Sequence, residues 1–394
     1  MRRRWSVRTR HCGEPWRRGR GIADGRLTAR AGTTRVLIVA QPLDAGVPRH
    51  VLDIVDELAG KNFELTVVCP RGSFLWERLC GRPEVRLETF TGRREPHLTD
   101  LIWVLRLVRM VRRSDVVHAH SSKAAWLARL AALIAGRRWS CVVTPHAWSF
   151  WALSGRSRQV LVVLERLAAH ACAAIVAVSR YEQEEGLRLG IGRTAQYRVI
   201  LNGIDLERFR AKRTPDGDLV LMVGRLAPQK RPELAIRALA LARKQRPTME
   251  LVMAGSGDVG GDLRRLAHQL GVGEAVHLLG PRNDVPDLLS RAGCVLATSV
   301  YEGCSLAILE AMAAGVPVVA VRFGGVDELV EHDVTGLLCN DRPEDVAAAL
   351  VQVCGDAETV SRMGEEGRRR AWQRYSRQRM AQSLATLYES LARG

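Results

Sequence analysis

Short apolar runs alternate with longer segments of helical period along most of this chain. Runs of buried-strand type occupy 35–40 (Arg-Val-Leu-Ile-Val-Ala), 65–69, 85–90, 115–118, 141–144 and 175–178. The pattern resumes with strand-like runs at 219–224, 276–280, 293–298, 316–321 and 336–339. A loop at 41–47 leads into a helix predicted from Pro48 to Leu58, and a last helix is predicted over 375–391. Strand–helix alternation of this kind predicts parallel, doubly wound sheets, here two of them. The polar stretch 211–217, with Pro215 and Gly217, marks the boundary. The expected organisation is an extension at 1–33, a first domain at 34–213, a second at 214–374 and a C-terminal segment at 375–394. Residues 1–33 show no apolar period and hold ten Arg, so they read as a disordered extension.

The densest chemistry lies at 299–315. Glu302 follows the apolar run 293–298, and Glu310 falls within a helix-like run, Leu306 to Ala314, that Gly315 and Pro317 close. This places Glu302 on a loop at the C-terminal end of a strand and Glu310 on the next helix. That edge of an open α/β sheet is where ligands bind, and the helix start adds N–H groups suited to an anion. Two carboxylates beside such a site suit a ligand with hydroxyls and phosphates. Arg225 ends the strand at 219–224 and Lys230 opens the next helix, so two cations reach the same edge, where they can neutralise a diphosphate.

Taken together, Glu302-Gly-x6-Glu310, Ala-Met-Ala-Ala-Gly-Val-Pro after it, Gly-Arg-Leu-x3-Lys230 and Asn202-Gly-Ile-Asp205 resemble glycosyltransferase family 4. The resemblance spans about residues 34–394. It implies a GT-B fold, two Rossmann-like doubly wound domains facing a cleft, with the C-terminal helix crossing back to the first domain. It also implies retaining transfer from a UDP- or GDP-linked sugar to a glycan or lipid-linked acceptor, without a cofactor. By the same resemblance, Glu310 holds the ribose, and Arg225 and Lys230 hold the diphosphate. Gly46 and the N–H groups at Ser305 and Leu306 assist, and Arg282 stands at the base. Glu302 and His146 meet the sugar. His120, Ser121, Ser122 and Lys123, in Asp115-Val-Val-His-Ala-His-Ser-Ser-Lys, resemble the acceptor-side loop, with Trp148 on the next one. The Trp148–Trp151 cluster either lines a lipid entrance or packs on the following helix. Three departures stand where the family commonly has glycine: Ala45, Ala147 and Arg231.

Composition narrows the alternatives. The net charge of +17 divides into +8 for 1–33, +11 for 34–213 (28 Lys and Arg against 17 acids) and −2 for 214–394. A basic first half suits an anionic partner, and peripheral contact with an anionic membrane is the expected one, with no nucleic acid. The helix at 101–113 carries Arg106, Arg109 and Arg113 on one face; a sheet-packing helix with solvated arginines is its plainer reading. Nine cysteines without C-x-x-C spacing read as reduced thiols, placing the chain in the cytoplasm, at most peripheral to the inner membrane face. His118, His120 and His146 can be drawn as a metal trio, but no carboxylate cluster accompanies them and no metal is expected. Gly255-x-Gly-x-x-Gly260 matches a dinucleotide motif without the acid that should end the next strand, so it reads as a turn. A basic binding module, or an epimerase or phosphorylase on the same fold, are the competing functions.

Overall fold

The computed structural model describes residues 32–41, 43, 46–90, 97 and 99–393. Nearly all of the Arg-rich extension, and Ala45, lie outside the described residues. The first sheet contains β1 (Thr34–Ala40), β2 (Phe63–Pro70), β3 (Val85–Phe90), β4 (Val116–His120), β5 (Cys141–Thr144), β6 (Ala174–Ala177) and β7 (Tyr197–Val199). Their order is β3-β2-β1-β4-β5-β6-β7, and every pair is parallel. The helices between are α1 (Gly46–Leu58), α2 (Phe74–Leu79), α3 (Thr99–Val111), α4 (Ser122–Ile134), α5 (Gly155–Ala168) and α6 (Arg180–Arg188). Both sheet faces are covered, which is why the strands read as unbroken apolar runs. Residues of α1 and α2 pack with Val36 and Ile38 on one face; α3, α4 and Val162 of α5 pack with Leu37 and Val39 on the other.

The second sheet repeats the design. It holds β8 (Asp216–Val223), β9 (Glu250–Ala254), β10 (Val276–Gly280), β11 (Ala292–Ala297), β12 (Val318–Val321) and β13 (Gly336–Cys339), in the order β10-β9-β8-β11-β12-β13. Its helices are α7 (Pro232–Ala242), α8 (Gly260–Gln269), α9 (Val285–Arg291), α10 (Leu306–Ala313), α11 (Pro343–Gly355) and α12 (Ala357–Arg374). Both sheets belong to one compact unit beginning at Thr34.

The chain passes between the sheets twice, and the passages pair. The Ile204 N–H donates to the Tyr375 carbonyl at 2.9 Å and Arg377 N–H donates to the Ile204 carbonyl at 3.0 Å. A Cβ on Gly203 would sit 2.5 Å from the Ser376 carbonyl oxygen, so this approach requires glycine. The last helix, α13 (Arg377–Ala392), then buries Met380, Leu384 and Tyr388 beside Ile38 and α1. Arg377 at its start reaches Glu57 at 2.8 Å and Asp205 at 3.2 Å.

Candidate active site

The C-terminal edges of the two sheets face each other. On the second sheet, β8 ends in Gly224-Arg225-Leu226. Close strand ends make this loop possible: a Cβ on Gly255 would lie 1.7 Å from the Gly224 carbonyl oxygen, and one on Gly257 would lie 2.1 Å from that of Leu226. The first two glycines of the apparent dinucleotide motif, Gly255 and Gly257, are thus packing glycines that let the loop after β9 pass against the Arg225 loop. Leu226 N–H donates to the Ser256 carbonyl at 2.7 Å and fixes it.

Lys230 extends over Gly224 and pairs with Oε1 of Glu302. Ser299 Oγ donates to that same oxygen at 2.6 Å and Ser305 Oγ lies 3.3 Å from it. All three partners use Oε1. Arg225 reaches Gln229 at 3.3 Å, and Gln229 holds the Tyr301 carbonyl at 2.9 Å. The next residue, Arg231, has φ 47 and ψ 57, a left-handed conformation that explains the family's glycine there. Its guanidinium offsets the strain by donating to the Thr298 carbonyl at 3.0 Å and pairing with Asp341.

Glu310 is buried on α10, and desolvation raises its pKa against the pull of Arg49 and Arg208. Arg49 belongs to α1 in the first half, and its Nη1 lies 3.2 Å from Glu310 Oε1. Both border a cavity of about 300 Å³, with Phe74, Arg208, Asn283 and Leu306. A Cβ on Gly46, the first residue of α1, would meet Leu306 Cδ1 at 3.4 Å. The starts of α1 and α10 therefore converge, and both present N–H groups and positive helix ends to one space. Arg282 instead forks onto Asp284, with Nε donating at 2.7 Å, and it is Asn283 that borders the cavity.

Across the cleft the chemistry is neutral. His118 is fully buried, with Nδ1 2.6 Å from Tyr388 Oη and Nε2 2.7 Å from Thr144 Oγ1. Both of its ring nitrogens are engaged, so it cannot join the metal trio drawn from the sequence. His50 of α1 takes that place. His50, His120 and His146 bring ligating atoms within 4.8 Å of one another, the only such group among the described residues. His120 Nδ1 lies 3.0 Å from His146 Nε2. Nε2 of His120 has no hydrogen-bond partner among the described residues, and Asn202 is the one polar side chain that acts on His50. Burial holds all four imidazoles in the neutral form, with His50 pushed down to about 4 and His118 to about 3. Such a cluster offers donors and acceptors to uncharged hydroxyls.

His146 and Ala147 both have positive φ, 59° and 103°. A buried carboxylate holds them: Glu182 accepts from Ala147 N–H at 2.7 Å and Val178 N–H at 2.8 Å. Burial raises Glu182 to about 7 despite these bonds. Sequence reading missed Glu182, although Ser-x-x-Glu at a helix start was available as a signal, and Ser179 does cap α6. Gly303 lets the Glu302 loop touch this turn; a Cβ there would lie 2.8 Å from Ala147 N. Glu328 from the second half accepts Arg180 and Tyr181 N–H groups at 2.9 and 2.7 Å, joining the halves at the start of α6.

The acceptor-side residues divide. Ser121 (φ 71) and Ser122 open α4, next to His120. Lys123 pairs with Asp100 at 3.0 Å. Trp148 does not line an entrance. It is 3% exposed, stacks on Phe150, and donates from Nε1 to the Glu182 carbonyl at 2.8 Å, because the turn at Ala147 directs it into the core. Trp151 is half-buried between Tyr181 and Tyr301.

Comparison with known proteins points the same way. Residues 204–370 match the family described as Glycosyl transferases group 1, and residues 45–208 match Glycosyltransferase Family 4. The chain is 29% identical over 336 residues to an Escherichia coli UDP-Gal:alpha-D-GlcNAc-diphosphoundecaprenol alpha-1,3-galactosyltransferase, covering 80% of this chain and 86% of that one. It is 33% identical over 297 residues to a Mycobacterium tuberculosis glycogen synthase, covering 72% and 70%. The crystal structure of Anabaena HepE in complex with UDP and glucose superimposes with a TM-score of 0.79 and 25% identity, over 91% of this chain and all of that one.

Proposed function

Because the chain belongs to glycosyltransferase family 4 and is a retaining GT-B enzyme that uses a nucleotide-sugar donor, we propose that its donor is a UDP-hexose and its acceptor a lipid-linked diphosphate sugar. The E. coli relative is named for a UDP-sugar and a diphosphoundecaprenol acceptor, and the Anabaena structure holds UDP. The division into an acceptor half ending near residue 213 and a donor half after it belongs to the same reading. So does a place at the cytosolic face of a membrane; no helix among the described residues is long and apolar enough to cross one. Nucleic acid has no part in it.

One observation carries the donor assignment: the loop whose Glu302 pairs with Lys230 leads directly into α10, whose start converges with that of α1 and whose Glu310 borders the cavity there. Ribose hydroxyls donate to Glu310. Arg225, Lys230 and the N–H groups near Gly46, Ser305 and Leu306 take the diphosphate, whose charge grows as the glycosidic bond breaks. The base sits by Asn283 and the Arg282–Asp284 pair. Glu302, whose Oε2 has no protein donor among the described residues, receives sugar hydroxyls while Oε1 positions Lys230. His146, neutral and held by Glu182, hydrogen-bonds the sugar from the other side. The acceptor approaches past His120, Ser121, Ser122 and Lys123.

A thermal-shift panel with UDP, GDP, ADP and NAD tests this. UDP at about a hundred times its Kd adds roughly 2.7 kcal/mol of stability, and Glu310→Ala abolishes the shift. A shift with GDP alone changes the base; a shift with NAD alone, or a UDP shift that survives Glu310→Ala, overturns the donor site.

A further inference from the structure

Among the described residues, twelve of the fourteen exposed large hydrophobic side chains fall between Leu101 and Leu167. They are not scattered. α3 and α4 pack side by side, and α5 is tied to α4 by the buried Arg129–Glu165 pair at 2.9 Å. These three helices form one layer over the first sheet. α3 buries Val104, Leu107, Val108 and Val111 but leaves Leu101, Ile102 and Leu105 more than half exposed. α5 is more unusual. It buries only Val162 and Glu165, while Val160 and Leu167 are 59% and 65% exposed. Its apolar side is turned outward, and core packing gives no reason for it. Trp139, 63% exposed just after α4, stacks under Arg138 at 4.3 Å.

The charge over this layer has one sign. Residues 99–172 hold eleven Lys and Arg and three acids. The acids are all engaged: Asp100 by Lys123, Asp115 by Arg35, and Glu165 by Arg129. Exposed arginines, among them Arg106, Arg109, Arg112 and Arg113, flank the apolar residues. A protein partner of ordinary composition would bring mixed charge to such a surface. A wide apolar face rimmed by cations, with an exposed Trp, matches an anionic lipid surface, where apolar side chains enter the acyl boundary and arginines meet headgroup phosphates.

We propose that the outer layer of α3, α4 and α5, with Trp139, is the docking surface for an anionic bilayer. The proposal deepens the reading of a membrane-borne acceptor and rests on it for its purpose. The plain solvated-helix reading of 101–113 then accounts for only the inner side of α3.

The test is sedimentation of the full chain with vesicles of 3:1 phosphatidylcholine to phosphatidylglycerol, and of phosphatidylcholine alone. The wild type binds the anionic vesicles at least about tenfold more tightly. The variant Leu105→Glu/Val163→Glu/Leu167→Glu, whose positions are exposed and tolerate the change, loses about tenfold or more. Its unfolding midpoint and UDP-induced thermal shift stay as in wild type. Separately, Arg109→Ala/Arg112→Ala/Arg113→Ala removes most of the preference for anionic lipid. Equal binding by the triple-Glu variant would assign membrane contact to residues 1–33 and overturn the proposal. So would a wild type that ignores vesicles, or a dimer that the variant converts to monomer in light scattering. A lost UDP shift with intact vesicle binding would strike the donor reading and leave the surface standing.

Discussion

The two halves of the molecule handle charge in opposite ways. The second half is close to neutral overall, yet it brings Arg225 and Lys230 to the cleft edge and pairs Lys230 with Glu302. The first half carries +11 but builds its side of the cleft from imidazoles that burial keeps neutral, and most of its arginines stand on the outside. On the proposed reading, the half that absorbs a diphosphate's charge keeps cations where that charge would develop, and the half proposed to meet sugar hydroxyls keeps charge away, since an unpaired buried cation would be costly there. Arg49 and Arg208 break the division, both bordering the Glu310 cavity from the first half.

The strongest way to break this comparison concerns Trp148. If it belongs to the core of the neutral half, Trp148→Ala costs about 3–5 kcal/mol, as large aromatic deletions do. It also leaves the Glu182 carbonyl without its donor. Urea unfolding checks this. A variant of unchanged stability with a raised acceptor KM would return Trp148 to the acceptor path.

Acid sharpens the comparison next. His50 titrates at about 4 in the folded chain because burial disfavours its charged form. An unfolded His takes up a proton near 6.5. The unfolded state therefore binds more protons between about 6.5 and 4, so the stability that neutral His50 represents is complete above 6.5 and lost as pH falls through that window. The size is roughly 3 kcal/mol for this one group. His50→Leu should narrow the stability difference between pH 7 and pH 4.5, measured by urea unfolding. An unchanged difference would mean that His50 is not the acid-sensitive element of the neutral half.

What was legible in the sequence follows the same division. Glu302, Arg225 and Lys230 declare themselves because each sits beside a strand end or helix start, and Glu310 because it lies on the short helix that follows directly; local pattern reports such places. The parallel sheets were legible too, since strands covered on both faces leave unbroken apolar runs. The neutral half depends on partners far apart in the chain. His50 lies on a helix face where nothing separates it from an ordinary polar residue, and it meets His120 and His146 only through the fold. Arg49 and Glu310 are 261 residues apart. Gly255 and Gly257 read as a turn from the sequence, but the reason for glycine there, the neighbouring strand end, is a contact that local pattern does not report. The outward apolar side of α5 is invisible to periodicity, which reports that a face exists and not what covers it.

The smallest expected effect separates two of the chain's departures from glycine. Ala147 and Arg231 both have positive φ. Arg231 lies in the ordinary left-handed region, and its side chain is anchored at the Thr298 carbonyl and Asp341. Replacing it with Gly relieves little strain and loses both anchors. Ala147, at φ 103, is further from any well that a side chain tolerates, and its methyl group has no comparable role. Its backbone N–H holds Glu182, a bond that glycine keeps. Relief of strain is of order 1–3 kcal/mol, offset by about 0.5–1 kcal/mol for the added freedom of glycine when unfolded. Ala147→Gly should therefore gain about 1 kcal/mol in urea unfolding, whereas Arg231→Gly should gain nothing or lose. If Ala147→Gly lost stability instead, the turn that presents His146 would be held by its own side chain rather than by Glu182.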